Sequence, residues 1–120
     1  MRLLQSLTLL VIITIFFNSE AKSELSIDTD LKILIAQSEE GNPDAKFYLG
    51  SLYYIGRELK QDYSIAIELF KEASDRGNIA ATFNLGIIYA KGRGVEIDEK
   101  KAFEYYKKAA FGGLPQAQYN

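Results

Sequence analysis

The chain has 120 residues, no cysteine, no histidine and a formal net charge of −2 at pH 7. Without thiolate or imidazole side chains it cannot build the usual zinc sites or a Ser-His or Cys-His nucleophile pair, so we predict no enzyme activity, no metal and no cofactor. The balance of charge also argues against nucleic acid as a partner, because such binding needs a clear basic excess or a basic stripe.

The first segment has the pattern of a secretory signal peptide. Met1-Arg2 is a short positive start, residues 3–17 are almost all apolar, and Ser19-Glu20-Ala21 offers small residues at both positions of a cleavage site. The apolar run over 7–17 is shorter than the roughly 17–25 residues of a membrane-spanning helix. We predict a signal peptide over 1–21 and a periplasmic or secreted protein. If the signal is not cleaved, it contacts the membrane as an anchor.

A flexible leader is predicted over residues 22–29, followed by an N-terminal half-repeat helix over 30–41. In the tripeptide Asp28-Thr29-Asp30, either Thr29 or Asp30 can accept hydrogen bonds from the free N–H groups at the start of that helix. The tripeptide could also contact a cation, but no further ligands follow at the spacing of a calcium loop. A helix start is therefore favoured.

The rest of the chain repeats itself every 36 residues. Residues 41–76 align with residues 77–112, and fourteen of the 36 aligned pairs are identical. A period in the mid-thirties is the signature of a helical solenoid. We therefore predict repeat 1 over 42–77, repeat 2 over 78–113, and the start of an incomplete repeat 3 over 114–120.

Within each copy the apolar spacing predicts a helix–turn–helix hairpin, since the first helix carries a stripe at i, i+4, i+7 and i+8. Asp62 and Asp98 precede the second helices as N-caps, and Gly77 and Gly113 follow them as C-terminal caps. A further glycine recurs in the middle of each first helix, at positions 50 and 86. It costs roughly 1 kcal/mol relative to alanine there, so we predict that another helix packs closely against it.

Gly92-Arg93-Gly94 is a short glycine-rich loop before a helix, and loops of this kind can hold phosphate. However, neither G-x-G-x-x-G nor G-x-x-x-x-G-K-[ST] is completed, and no strand pattern precedes the loop. The first copy has a single glycine, Gly56, at the same place. An interhelical turn is favoured over a nucleotide site.

The second copy, AATFNLGIIYAKGRGVEIDEKKAFEYYKKAAFGG, resembles the Sel-one-like repeat (SLR), a relative of the tetratricopeptide repeat. The resemblance implies an all-α fold, a right-handed superhelix of antiparallel helix–turn–helix repeats with about five helices and a C-terminal stub. The matching positions are Ala81, Leu85, Gly86, Tyr89, Gly92, Gly94, Val95, Asp98, Lys101, Ala102, Tyr106, Lys108, Ala109, Ala110 and Gly113.

The first copy departs from this pattern at Glu58, which replaces the second loop glycine. If the loop needs a positive φ at this place, a glutamate there is strained. The first loop is therefore expected to adopt a different turn.

SLR proteins typically act as adaptors that hold other proteins, so the resemblance implies a non-enzymatic module with a protein or peptide partner, and the predicted signal peptide implies that this module is exported. Some cysteine-rich secreted relatives have been linked to penicillin binding or hydrolysis. This chain lacks their cysteines, and its only S-x-x-K, from Ser19 to Lys22, straddles the predicted cleavage site. A penicillin-binding or β-lactamase-like envelope protein is one alternative. The other is a truncated fragment of a longer repeat protein with little independent function, since the sequence stops before the Leu-Gly of a third copy.

The candidate partner-binding surface is the face of the first helices that the core stripe leaves free. In tetratricopeptide-like superhelices these helices line the concave groove, and a mixed polar and apolar groove suits an extended peptide or a helix. Tyr48 and Tyr54 fall off the packed stripe and are predicted to be exposed contact residues. The candidates are Tyr48, Ser51, Tyr54, Ile55, Asn84, Ile87 and Lys91, with Asn120 from the third copy.

The second helix of repeat 2 carries four lysines, Lys100-Lys101 and Lys107-Lys108, on both sides of Glu104. This spacing supports i, i+4 ion pairs along a helix. A solvated helix face is favoured over an anion site.

Overall fold

The computed structural model describes residues 26–112, and these residues form helices and the loops between them, with no strand. The prediction of an all-α fold with about five helices is confirmed. Helix α1 covers residues 26–39. It is followed by α2 (Pro43–Ile55), α3 (Tyr63–Asp75), α4 (Ile79–Lys91) and α5 (Glu99–Ala110).

The chain divides into two compact units after Ile33. In the first unit, residues 26–33 are helical. Lys32 Nζ lies 2.6 Å from Asp28 Oδ2, one turn earlier. Such an i, i+4 pair stabilises a helix by about 0.2–0.5 kcal/mol, which favours helix in a segment that the sequence analysis assigns partly to a leader.

The observed start of α1 corrects two expectations. Residues 26–29 are helical and not a flexible leader, and neither Thr29 nor Asp30 is the N-cap, because the helix has begun before them. Within the described part of the chain no helix is both long enough and apolar enough to cross a bilayer. The predicted signal peptide over 1–21 lies outside that part.

The caps of the hairpins are local and follow from single side chains. Ile65 N–H donates to Asp62 Oδ1 at 3.1 Å and Lys101 N–H donates to Asp98 Oδ1 at 2.9 Å, so both predicted N-caps of the second helices are confirmed. The first helices also have N-caps, Asn42 for α2 and Asn78 for α4. These two caps were not predicted from the sequence, although the recurring Gly-Asn pair signals them.

At the end of α5 the C-terminal cap is Gly112 and not Gly113. Gly112 has a φ of +57° and its N–H donates to the carbonyl of Ala109 at 2.9 Å. The shift by one residue arises because α5 has 12 residues whereas α3, the equivalent helix, has 13. Gly113 and the predicted third repeat lie outside the described residues.

The core lies between α3 and α4, and its largest fully buried side chains are Phe70, Leu85 and Ile88. Ala73 of α3 and Ala81 of α4 have no exposed surface, and their small side chains let these two helices pack closely. The predicted close packing at the mid-helix glycines is confirmed: a Cβ on residue 86 would lie 2.7 Å from the Tyr106 ring.

The two hairpin loops have different backbones. Gly94 in the second loop has a φ of +71°, and a Cβ there would lie 2.4 Å from Tyr63 Cβ, so only glycine fits. At the equivalent place Glu58 does not have a positive φ, since no described residue other than glycine has one. The expectation of a different turn in the first loop is confirmed.

Candidate partner-binding groove

The seven described candidate residues all lie on α2 and α4, but they differ in exposure. Tyr48 and Ile55 are 60% and 61% exposed, and Lys91 in the last turn of α4 is also exposed. The other four are half-buried: Ser51, Tyr54, Asn84 and Ile87. Asn120, the eighth candidate, lies outside the described residues.

Three of these candidates meet in one place. Tyr54 of α2 and Asn84 and Ile87 of α4 line a hollow of about 70 Å³, together with Phe70 of α3. We call this space the α2–α4 hollow. It has mostly apolar walls and one amide, Asn84, which can both donate and accept a hydrogen bond.

Tyr54 is more buried than the sequence analysis predicted. Its ring centroid lies 5.4 Å from that of Tyr63 and 6.4 Å from that of Phe70, so the side chain packs on the core and is not an exposed contact residue. Phe47, seven residues earlier and therefore on the same helix face, also packs against Phe70 at 5.9 Å. The core-facing stripe of α2 is wider than the i, i+4, i+7, i+8 pattern indicates.

Tyr48, Ser51, Ile55 and Lys91 do not line the hollow. Ser51 Oγ donates to the carbonyl of Phe47 at 2.8 Å, so part of its hydrogen-bonding capacity is used within the helix. Tyr48 lies beside the same Phe47, with ring centroids 5.5 Å apart. These four residues lie elsewhere on α2 and α4, and three of them, Tyr48, Ile55 and Lys91, are exposed.

Arg93 contacts Tyr54, one wall of the hollow, although the sequence predicts only a turn there. Its guanidinium carbon lies 5.7 Å from the centroid of the Tyr54 ring, within the range of a cation–π contact. It takes part in neither of the two ion pairs of the described residues, which are Lys32–Asp28 and Lys46–Glu72. The sequence signal for Arg93 is a positive side chain between two loop glycines, but Tyr54, which it contacts, is 39 positions away in the sequence.

Polar side chains join neighbouring helices within the first hairpin and between the two hairpins. Lys46 is only 8% exposed and forms an ion pair with Glu72 of α3. At the equivalent position of α4, Thr82 shares a hydrogen bond of 2.5 Å with the buried Ser74. Arg76 Nη1 adds a hydrogen bond of 2.8 Å to the carbonyl of Gly41.

The lysines of α5 do not form the ion pairs with Glu104 that the sequence predicts. Lys101 Nζ lies 4.6 Å from the centroid of the Tyr89 ring, and Lys108 donates to Ser74 Oγ at 3.4 Å. Both lysines line a second hollow, with a volume of about 250 Å³, beside Glu104 and Tyr105. Among the described residues no cluster of acidic side chains could hold a metal ion.

Comparisons with known proteins agree with this architecture. The model of the Sel1 repeat matches the chain twice, over residues 43–78 and 79–113, so each match begins at the first residue of α2 or α4. A search of curated protein sequences found no match.

Two solved structures are similar to this chain. One is c5321, a protective antigen present in uropathogenic Escherichia coli strains that displays an SLR fold; it is 40% identical, with a TM-score of 0.66, over 73% of this chain and 19% of its own length. The other is a Sel1 repeat protein from Oxalobacter formigenes, 39% identical with a TM-score of 0.64, over 75% of this chain and 68% of its own length. The chain thus spans about a fifth of the first protein and about two thirds of the second.

Proposed function

The chain belongs to the Sel1 repeat family, and from this membership we propose that it is an exported interaction module that binds a protein or peptide through the exposed face of α2 and α4. Sel1 repeats generally mediate protein–protein interactions, and their fold is a non-catalytic scaffold. For this chain in particular, the proposal adds the binding face, the export and the absence of enzyme activity.

The observation that carries the binding face is the α2–α4 hollow, together with the exposed side chains of the same two helices. Residues of α2 and α4 line a hollow of about 70 Å³, and Tyr48 and Ile55 of α2 are both more than half exposed, so these helices offer a pocket and accessible apolar surface. Contact surfaces of proteins are enriched in tyrosine and concentrate their binding energy in a few anchored side chains. A groove with these features suits an extended segment or a helix of a partner.

Site-directed photocrosslinking on the full chain tests the binding face. A benzophenone amino acid placed at Tyr48 should crosslink a partner, whereas the same group at Phe103, which is 66% exposed on α5, should not. The two positions are matched in side-chain size and exposure, so non-specific association would give equal crosslinking at both. The double substitution Tyr48→Ala and Asn84→Ala should abolish retention of the same partner, and unchanged retention would remove the groove from the proposal.

Export has its own test. The pattern of residues 1–21 supports cleavage after Ala21. The intact mass of the protein recovered from the periplasm or the medium should therefore correspond to a chain that begins at Lys22. Recovery of the chain from the cytosol with Met1 still present would contradict export. The absence of activity is tested by labelling with a fluorescent penicillin, which should leave the chain unlabelled.

A further inference from the structure

A positive charge lies beside one wall of the α2–α4 hollow. The Arg93 guanidinium lies over the ring of Tyr54, and Tyr54 is one of the four residues that line the hollow. Among the described residues no carboxylate forms an ion pair with Arg93. Lys91, exposed in the last turn of α4, adds a second positive charge at the same end of the helix. The acidic residues of that loop are Glu96 and Asp98, and Asp98 Oδ1 accepts from the Lys101 N–H as the N-cap of α5.

The size of the hollow limits what can enter it. Sites for drug-sized ligands have volumes of about 300–1,000 Å³, whereas this hollow has about 70 Å³. That volume is enough for one branched aliphatic side chain. The apolar surfaces of Phe70 and Ile87 provide its contacts, and the Asn84 amide can bond the backbone of the segment that carries it.

The position of the guanidinium beside one wall of the hollow sets a spacing on the partner. Alternate side chains of an extended peptide point to the same side and lie about 6.6 Å apart. The Arg93 guanidinium lies over the Tyr54 ring, which is one wall of the hollow, so the next side chain on the same side of the peptide is the one placed to reach it. A planar guanidinium binds a carboxylate through two parallel hydrogen bonds, which makes an acidic side chain its best match.

We propose that the partner segment of this groove is an extended acidic peptide, in which a leucine-like residue enters the α2–α4 hollow and an aspartate or glutamate two positions away pairs with Arg93. This inference rests on the proposed function of the groove and names the chemistry of its partner. The first loop provides no second site of this kind, because Arg57, the equivalent of Arg93, has no aromatic ring beneath it in the described structure.

A titration of the full, ¹⁵N-labelled chain followed by NMR tests the proposal. The probe is the peptide acetyl-Gly-Leu-Ser-Glu-Gly-amide, with two control peptides in which alanine replaces the leucine or lysine replaces the glutamate. The first peptide should shift the side-chain amide of Asn84 and the backbone signals of Ile87 and Arg93. Each control peptide should bind more weakly by at least about tenfold, because one loses the buried side chain and the other places like charges together.

A charge reversal gives the decisive comparison. Arg93→Glu should weaken binding of the glutamate peptide by at least about tenfold and improve binding of the lysine peptide, since opposite charges then face each other. Arg57→Glu changes the net charge by the same amount at the equivalent position of the first loop, and it should leave both affinities as in the wild type.

The outcomes separate this proposal from the proposed function. Equal binding of the glutamate and lysine peptides, or equal effects of the two charge reversals, overturns the acidic-peptide assignment even if crosslinking still favours Tyr48 over Phe103. Equal crosslinking at Tyr48 and Phe103 overturns the groove itself. Shifts of Asn84 and Ile87 that depend on Arg93 and not on Arg57 support the assignment.

Discussion

At the level of single residues, a glycine in the middle of each first helix determines how closely the two helices of its hairpin pack together. A Cβ on residue 50 would lie 3.0 Å from the ring of Phe70, and one on residue 86 would lie 2.7 Å from the ring of Tyr106. Both glycines are in regular helix, where alanine would be favoured by about 1 kcal/mol. Close contact with an aromatic ring of the second helix therefore explains a residue that helix propensity disfavours.

Gly86→Leu should destabilise the fold by at least about 1–3 kcal/mol, because the added atoms meet the Tyr106 ring in a packed interface. The free energy of unfolding is measured by urea denaturation followed by circular dichroism. Ala80→Leu is the control, since Ala80 is exposed on the same helix and should change stability by less than about 0.5 kcal/mol. Equal stability of Gly86→Leu and the wild type would argue against close packing at this position.

At the level of helices, the sequence best predicts those features that depend on residues close together in the chain. The period of 36 residues and the aspartates at 62 and 98 predict the second helices, because a cap needs only a side-chain oxygen and the N–H groups next to it. The end of α5 is missed by one residue because strict transfer of the period places the cap at Gly113, whereas the shorter helix places it at Gly112.

The candidate site is predicted less completely, since it depends on contacts between distant parts of the chain. Helix spacing assigns Tyr48, Asn84 and Ile87 to the free face, and the structure finds Tyr48 exposed and the other two in the hollow. Tyr54 is misplaced because its burial comes from α3, which a single-helix pattern does not include. Arg93 is missed because its contact with Tyr54 crosses from one loop to the other hairpin.

The packing of α4 against α5 predicts a loss of stability at alkaline pH. Burial raises the pKa of Tyr105 above its ordinary value of 10.0, Tyr89 beside it adds to this effect, and Lys101 opposes it. The rings of Tyr89 and Tyr105 are stacked at 5.7 Å. Above pH 10 the unfolded chain therefore loses this proton more readily than the folded chain, and the stability present below that pH falls as the pH rises toward the folded pKa.

Tyr105→Phe should reduce this alkaline loss, because phenylalanine keeps the stacked ring and has no proton to lose. The free energy of unfolding is measured by urea titration between roughly pH 9 and pH 11, where tyrosine in an unfolded chain ionises. The wild type should lose more stability across this range than the variant. Parallel pH dependences of the two proteins would show that Tyr105 ionises alike in the folded and unfolded states.

At the level of the whole repeat array, equivalent positions of the two described repeats differ in burial. Phe47 is half-buried, whereas its equivalent Phe83 is 49% exposed. Ile67 of α3 is 5% exposed because α4 packs on α3, whereas its equivalent Phe103 of α5 is 66% exposed. In stacked repeats each unit contacts only its neighbours, so the same register position is core in one repeat and surface in the next.

This difference predicts opposite results for two equivalent truncations. Ile67→Ala should cost about 2–5 kcal/mol, because it removes buried atoms from the α3–α4 interface and leaves a cavity. Phe103→Ala deletes a larger side chain but should change stability by less than about 0.5 kcal/mol, since that side chain already contacts water. Both are measured by urea denaturation of the full chain at one protein concentration. If Phe103→Ala costs as much as Ile67→Ala, the α5 face is covered in solution. The measurement is then repeated at several protein concentrations. A cost that varies with concentration identifies a second copy of the chain as the cover.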